Sequence, residues 1–396
     1  MTRPKVILRR FFDFKTCSRT FLGRIEEITV PTSDEDYMRM ALQLAAVARG
    51  RTSPNPMVGA VLVKEGRIIG FGAHLQAGKP HAEIHALQMA GEDAAGSTLY
   101  VTLEPCAHYG KTPPCANALV QARIRRAVIA MKDPFPLVAG KGIEILRHAG
   151  ILVEVGLLAE EAQALNRNFL HYVEKKRPFV TLKLAASLDG WIATKEKQPL
   201  ALTSYEALVE THRLRNEVDG IIVGVNTILS DDPQLTVRMV ENGRNPVRFI
   251  FDRHLRIPLH AKVVTDGQAH TVVFCGPDAD ALRAAHLVDA GVEVVRLLHT
   301  DSLAMIHEAL THMGENGARH VMLEGGSTLA YAFLGARAID EVWLFHAPKL
   351  LMTGWPAFVK GDPETTSVLP LVLENITRRS VGVDELTIGT PVWNNP

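Results

Sequence analysis

The stretch from residue 81 to 131, HAEIHALQMAGEDAAGSTLYVTLEPCAHYGKTPPCANALVQARIRRAVIAM, decides how the first part of this chain is read. Its apolar residues recur at helical spacing over His81–Ala90 and Pro114–Ala122, and form short apolar runs over Thr98–Leu103 and Ala127–Met131. Helix and strand therefore alternate, which calls for a mixed or parallel sheet with helices on its faces. The pattern continues outward. Upstream, Ser33-Asp34-Glu35-Asp36 suits a helix start, and Met40, Leu44 and Val47 follow at helical spacing. Val58–Val63, the turn Lys64-Glu65-Gly66-Arg67 and Ile68–Phe71 read as a hairpin. Downstream come a helix at Gly142–His148, a strand at Ile151–Val155 and one helix over Glu160–Tyr172.

At 396 residues the chain exceeds one ordinary domain. The charged run Glu174-Lys175-Lys176-Arg177-Pro178 is the expected boundary between units at 34–177 and 178–396. Past it, strands are expected at Phe179–Ala185, Gly220–Val225, Val247–Phe251, Thr271–Cys275, Val292–Arg296, His320–Leu323 and Glu341–His346. Helices are expected at Ser204–Arg215, Ala279–Ala290, Ser302–Met313 and Thr328–Ala336. The fold class is thus α/β throughout. Residues 1–33 are basic (Arg3, Lys5, Arg9, Arg10, Lys15, Arg19, Arg24), with Asp13 the single acid before Glu26. They read as an N-terminal extension expected to be disordered; a transit peptide and an upstream start near Met38 or Met40 are the other readings.

Lys+Arg and Asp+Glu both number 43, so no global field draws in nucleic acid or an anionic membrane. A small ligand is the expected partner. No apolar run approaches the ~20 residues that cross a bilayer. Four cysteines (Cys17, Cys106, Cys115, Cys275) make no disulfide framework. A reducing cytoplasm fits, and it leaves Cys106 and Cys115 available to a metal.

His81, Cys106 and Cys115 supply imidazole and thiolate, the ligands zinc prefers, and three of them leave a fourth position for water. His81 opens one helix and Cys115 follows Pro114 at the start of another, where partial positive charge favours thiolate. Glu83, on the first turn after His81, reaches water at such an ion without ligating it. Nucleobase deaminases need that group to shuttle protons to the ring nitrogen and the leaving amine. His85, one turn beyond His81, reads as a second-layer or core-facing residue.

With these residues stand Asn55-Pro56-x-Val58-Gly59, His74, Thr102-Leu103-Glu104-Pro105-Cys106 and His108-x-Gly110-Lys111-Thr112-Pro113-Pro114-Cys115. Together they resemble the bifunctional deaminase–reductase family of riboflavin biosynthesis, in which a long segment separates the two cysteines. The resemblance implies a cytidine-deaminase-like first domain that deaminates 2,5-diamino-6-ribosylamino-4(3H)-pyrimidinone 5′-phosphate, with Asn55, His74, His108 and Lys111 lining the pocket. It also implies a homo-oligomer.

The resemblance extends over Lys183-Leu184-x-Ala186-Ser187-Leu188-Asp189-Gly190, Gly224-x-x-Thr227-x-x-x-Asp231-Asp232-Pro233-x-Leu235-Thr236-x-Arg238 and Glu324-Gly325-Gly326. It implies a dihydrofolate-reductase-like second domain that uses NADPH to reduce the ribosyl group to ribityl. Ala185, Thr227, Asp231 and the turn Gly326, Ser327, Thr328, Leu329, Ala330, Tyr331 and Ala332 would contact NADPH. Arg215, Leu235, Arg238 and Glu324 would hold the substrate, the arginines at its phosphate. One departure stands out: Pro199 and Ala201 occupy positions where the family carries a substrate-binding Ser and a cofactor-packing Trp. Two competing readings follow, a deaminase of nucleic acid and a deaminase joined to a weakened or non-catalytic reductase-like domain. Against the first stand the balanced charge and the eight residues between Cys106 and Cys115.

Overall fold

The computed structural model describes residues 33–107, 114–135, 139–194, 201–359 and 371–393. His108, Lys111 and Pro199 lie outside them.

The first unit begins with α1 (Asp34–Ala46), closed at its start by a capping box in which Ser33 and Asp36 satisfy each other's backbone. There follow β1 (Gly59–Lys64), β2 (Arg67–Ala73), α2 (Ala82–Ala90), β3 (Thr98–Val101), α3 (Cys115–Gln121), β4 (Arg126–Ile129), α4 (Lys141–His148), β5 (Leu152–Val155), α5 (Ala159–Leu165) and α6 (Arg167–Lys175). The strands lie in the order β2-β1-β3-β4-β5, with β1 antiparallel to both neighbours and the rest parallel. Side chains alternate across this sheet as strand geometry demands. Ala60, Leu62, Leu99 and Val101 meet α2, α3 and α4, whereas Val61, Val63, Tyr100 and Val128 meet α1 and α5. Helix α2 lies close on β2: a Cβ at Gly70 would sit 2.2 Å from the Ala86 carbonyl oxygen, and one at Gly72 2.6 Å from that of Ala82. Glycine on the strand and alanine on the helix thereby set the depth at which His81 and Glu83 are presented.

The helix expected over Glu160–Tyr172 is in fact two, α5 and α6, joined at Asn166. Asn166 is buried, accepts from the Met57 N–H (2.8 Å) and donates to the Met57 carbonyl (2.9 Å). A side chain that pairs with a distant backbone in this way outcompetes local helical periodicity, which alone suggested one helix. The path from first sheet to second is bolted by Arg167 to Glu341 (2.6 Å) and Arg177 to Asp340 (2.7 Å).

The second unit runs β6 (Phe179–Ser187), β7 (Trp191–Ala193), α7 (Tyr205–Glu217), β8 (Gly220–Gly224), α8 (Val225–Asp231), β9 (Val247–Phe251), α9 (Lys262–Thr265), β10 (Thr271–Cys275) and α10 (Ala281–Asp289). It continues through β11 (Glu293–Arg296), α11 (Ser302–Glu315), β12 (His320–Leu323), α12 (Ser327–Gly335), β13 (Glu341–Ala347), β14 (Trp355–Pro356), β15 (Leu371–Val381) and β16 (Asp384–Trp393). Among the described residues nine strands form one sheet, β11-β10-β9-β8-β12-β6-β13-β16-β15, parallel as far as β13 and antiparallel thereafter. One face packs Val180, Leu182, Val321 and Leu323 against α11 and α12; the other packs Ile221, Val223, Ile250 and Met322 against α7, α8 and α10. The β15–β16 hairpin was not expected. Most of β15 is exposed, and its Glu374-Asn375-Ile376-Thr377-Arg378-Arg379 stretch has no apolar alternation to reveal a strand. Among the described residues no helix is long and apolar enough to cross a membrane.

Candidate active sites

The first site gathers at the ends of α2, α3 and β3. His81 is the extended residue that starts α2, its carbonyl already accepting from Ile84 and His85. Cys115 is the first residue of α3, and Cys106 lies on the loop that follows β3. His81 Nδ1 is 3.6 Å from Cys106 Sγ and 3.3 Å from Cys115 Sγ, and all three donor atoms lie within 4.8 Å of one another. A tetrahedral zinc with bonds of roughly 2.0 and 2.3 Å places nitrogen and sulfur about 3.5 Å apart. The cluster therefore fits that ion. His85, which could have competed with His81, is not part of the cluster; its Cβ lies beside Gly72 of β2.

As free groups these side chains perturb one another. The Cys115 thiol, with His81 and the Cys115 N–H (3.3 Å), favours a thiolate on Cys106 and lowers it well below the usual thiol range. Cys115 is pushed up, because its proton is held against that sulfur. The hydrogen bond to Cys106 raises His81. Glu83 is 3% exposed, and burial pushes its carboxyl up to about 7. Among the described residues its buried Oε2 has no partner, a costly state unless something else meets it there.

Asn55 and His74 come to the same place. Asn55 Nδ2 is 3.1 Å from His74 Nε2, and His74 Nδ1 is 3.3 Å from the Pro80 carbonyl. A carbonyl only accepts, so Nδ1 carries the hydrogen and Nε2 accepts from Asn55. That arrangement leaves the Asn55 carbonyl oxygen for other partners. The His74 ring stands edge-on to that of His81, 5.2 Å between centroids. Sequence reading quoted Glu104 in a motif but gave it no role. It is buried and accepts N–H bonds from Asp133, Gly140, Gly142 and Ile143, tying the Cys106 loop to the start of α4. A glutamate directly before a Pro-Cys ligand segment was the available signal.

The second site lies where β8 and β12 end, beside the middle of β6. Glu324, just past β12, accepts from Arg215 Nε (3.1 Å) and Nη2 (2.8 Å), and Lys183 of β6 stands 3.8 Å away. Burial would raise Glu324, yet Arg215 and Lys183 hold it below the usual carboxylate range. Arg215 also donates to the Thr236 carbonyl (3.3 Å), and Arg238 to the Thr236 hydroxyl (3.0 Å). The Arg238 N–H is received by Nδ1 of His212, a histidine pushed down to about 4 by burial and by Arg215 and Arg238. Leu235 is buried with φ +53°, a strained left-handed position that helps turn this loop. The structure thus brings together Arg215, Leu235, Arg238 and Glu324, expected from the sequence, with Lys183 and His212, which were given no role because their neighbours are remote in sequence.

Beside this network, Gly326 starts α12, and Thr227 Oγ1 of α8 would lie 3.9 Å from a Cβ on it. Gly224 and Gly325 both abut Leu329. Gly326 and Thr328 are exposed, Ser327, Leu329, Tyr331 and Ala332 partly buried, and Ala330 faces the core. Ala185 lies half-buried on β6, and Asp231 is exposed at the end of α8. Ala201 is exposed as well.

Comparison with known proteins covers both units. Residues 178–383 match the family model of the RibD C-terminal domain, and residues 31–131 that of the cytidine and deoxycytidylate deaminase zinc-binding region. The riboflavin biosynthesis protein RibD of Aquifex aeolicus is 46% identical over 321 residues, 81% of this chain and 88% of that protein. The solved structure of Acinetobacter baumannii RibD is 37% identical, with a TM-score of 0.80 over 91% of this chain and 99% of that one. A Thermotoga maritima structure described as a diaminohydroxyphosphoribosylaminopyrimidine deaminase/5-amino-6-(5-phosphoribosylamino)uracil reductase is 38% identical, with a TM-score of 0.78 over the same shares. The first unit carries the cytidine and deoxycytidylate deaminase zinc-binding region, and the second is the RibD C-terminal domain. The chain belongs to the RibD family of riboflavin biosynthesis, bifunctional enzymes that join a zinc-dependent deaminase to an NADPH-dependent reductase.

Proposed function

We propose that the unit at 34–177 hydrolyses the amino group of 2,5-diamino-6-ribosylamino-4(3H)-pyrimidinone 5′-phosphate, and that the unit at 178–396 reduces the product's ribosyl group to ribityl, giving 5-amino-6-(5-phospho-D-ribitylamino)uracil. The observation that carries the reading is the convergence of His81, Cys106 and Cys115 beside the buried Oε2 of Glu83, which has no partner among the described residues. These three side chains would hold zinc, which supplies a Lewis acid that makes water nucleophilic near neutral pH. Glu83 would take one proton from water and pass it to the ring nitrogen as hydroxide adds to the ring carbon; it would then take the added hydroxyl's proton and hand it to the amine, so that the carbon–nitrogen bond breaks and ammonia leaves. Asn55 and His74 orient the heterocycle; His108 and Lys111, outside the described residues, are assigned to substrate binding by the family resemblance alone.

In the second unit Ala185, Thr227, Asp231 and the Gly326–Ala332 segment would hold NADPH, which when bound supplies the hydride. Arg215 spends two N–H groups on Glu324, so Arg238 is the freer cation for the substrate phosphate, with Leu235 and Glu324 shaping the pocket. Free thiols at Cys106 and Cys115 suit a cytoplasmic enzyme. Among the described residues β15 is the last strand of its sheet, with Val372 and Ile376 exposed, which supports a homo-oligomer. The deciding experiment pairs metal analysis of the wild type and Cys115→Ser with ammonia release, then NADPH oxidation on the deaminated product. One zinc per chain, lost with deamination in the variant, is expected; deamination by the metal-free variant would refute the assignment.

A further inference from the structure

The turn that carries Asn55 is held from the other half of the molecule. Its backbone closes through the Asn55 N–H on the Thr52 carbonyl (2.8 Å). The Ser53 hydroxyl donates to Asp219 Oδ2 (2.9 Å), and the Pro54 carbonyl accepts from Arg319 Nε (3.2 Å). Asp219 lies between α7 and β8, and Arg319 immediately precedes β12. Both belong to the second sheet's framework.

Neither partner is a loose surface group. Asp219 is 7% exposed, and the oxygen that receives Ser53 also accepts the N–H groups of Arg319 (2.8 Å) and His320 (3.1 Å). The Arg319 guanidinium lies 3.4 Å over the Tyr172 ring and donates to the Gly314 (2.8 Å) and Ala318 (3.0 Å) carbonyls. Two consecutive residues of the turn are thus tied to groups with fixed positions of their own. The next residue is Asn55, which donates to His74, whose ring abuts His81. On the far side Met57 is locked by Asn166. Two of the turn's three anchors come from the reductase half.

We propose that Asp219 and Arg319 are positioning residues for the deaminase: through Ser53 and Pro54 they fix where Asn55 meets the pyrimidine. The inference rests on the reading of Asn55 as a pyrimidine-binding residue. Released from the clamp, the turn keeps its fold but samples more orientations, so substrate binding weakens while the metal cluster, built on α2, α3 and the Cys106 loop, stays whole.

The test uses full-length, zinc-loaded protein and four variants: Ser53→Ala, Ser53→Thr, Arg319→Met and Asn55→Ala. Ammonia release gives deaminase kcat and KM, NADPH oxidation on the deaminated product gives reductase rates, and metal analysis gives zinc content. Losing one hydrogen bond's worth of preorganisation in Ser53→Ala should raise deaminase KM about fivefold with little change in kcat. Zinc content and reductase rates should match wild type. Ser53→Thr, which keeps the hydroxyl, should restore wild-type KM; Arg319→Met should move KM in the same direction as Ser53→Ala, and Asn55→Ala should raise it further. If Asn55→Ala impairs deamination while Ser53→Ala and Arg319→Met leave KM unchanged, the clamp is refuted and the Asn55 reading survives. If Asn55→Ala has no effect, both fall. Equal losses of deaminase and reductase in Ser53→Ala would mark a general folding defect and overturn the proposal.

Discussion

The two sites are built from different materials. At the first, soft donors and an imidazole converge within a few ångströms on two helix starts and a loop, and Oε2 of the adjacent glutamate is buried with no partner among the described residues. At the second, Arg215, Lys183, Glu324, Thr236, Arg238 and His212 pair among themselves where β8 and β12 end, beside the middle of β6. The first site is incomplete as protein alone and asks for an ion. The second is closed by its own charges. Damage at the first should therefore be close to all-or-none, and damage at the second graded.

The sharpest break of this contrast is Cys115→Ser. Removing one thiolate from a three-ligand set should abolish zinc binding and lower deamination at least about a thousandfold while leaving NADPH oxidation intact. Metal analysis and the two assays read it directly. Glu83→Gln comes next: zinc retained, with deamination reduced by about 10²–10⁴, the range of a lost proton shuttle. A variant that also lost its metal would show that Glu83 supports the cluster structurally.

At the second site Glu324→Gln leaves Arg215 and Lys183 facing a neutral amide. Reductase kcat/KM should fall about ten- to a hundredfold with deamination unchanged. That same assay on the wild type examines the departures at Pro199 and Ala201, since a chain that deaminates but oxidises no NADPH would break the symmetry between the units.

Acid offers a gentler probe. His320, at the start of β12, is pushed by burial from 6.5 down to about 3. Between those values the unfolded chain binds a proton that the folded one refuses. Its contribution is fully present above 6.5 and declines as pH falls toward 3, by about 1.4 kcal/mol per pH unit. Urea midpoints at pH 7 and 5 should therefore diverge less in His320→Asn than in wild type; an unchanged difference would refute the burial argument. The smallest effect belongs to Arg126, which bridges Asp34 (2.6 Å) and Glu154 (2.8 Å) near the surface of the first unit. With its carboxylate partners substantially exposed, Arg126→Ala should cost under about 1 kcal/mol. A larger shift in urea midpoint would show the network to be more than a solvated rim.

Much of this was legible in residue order because the relevant physics is local. The alternation of β1, β3 and β4, the capped start of α1, and the ligand types His81, Cys106 and Cys115 on adjoining segments all depend on neighbours within a few turns. Glu83 was legible for the same reason, being on the first turn after its histidine. What only the tertiary structure decided depends on partners far along the chain. Asn166 splits a helix because Met57, more than a hundred residues earlier, meets its amide. Lys183 and His212 acquire their settings from Glu324 and Arg238, and β15 is a strand because β16 lies beside it rather than because of its own pattern. The clamp on Asn55 is the extreme case. Serine, proline and asparagine in a row announce a turn, but that its anchors are Asp219 and Arg319 follows from how two separately cored sheets dock, which no periodicity encodes.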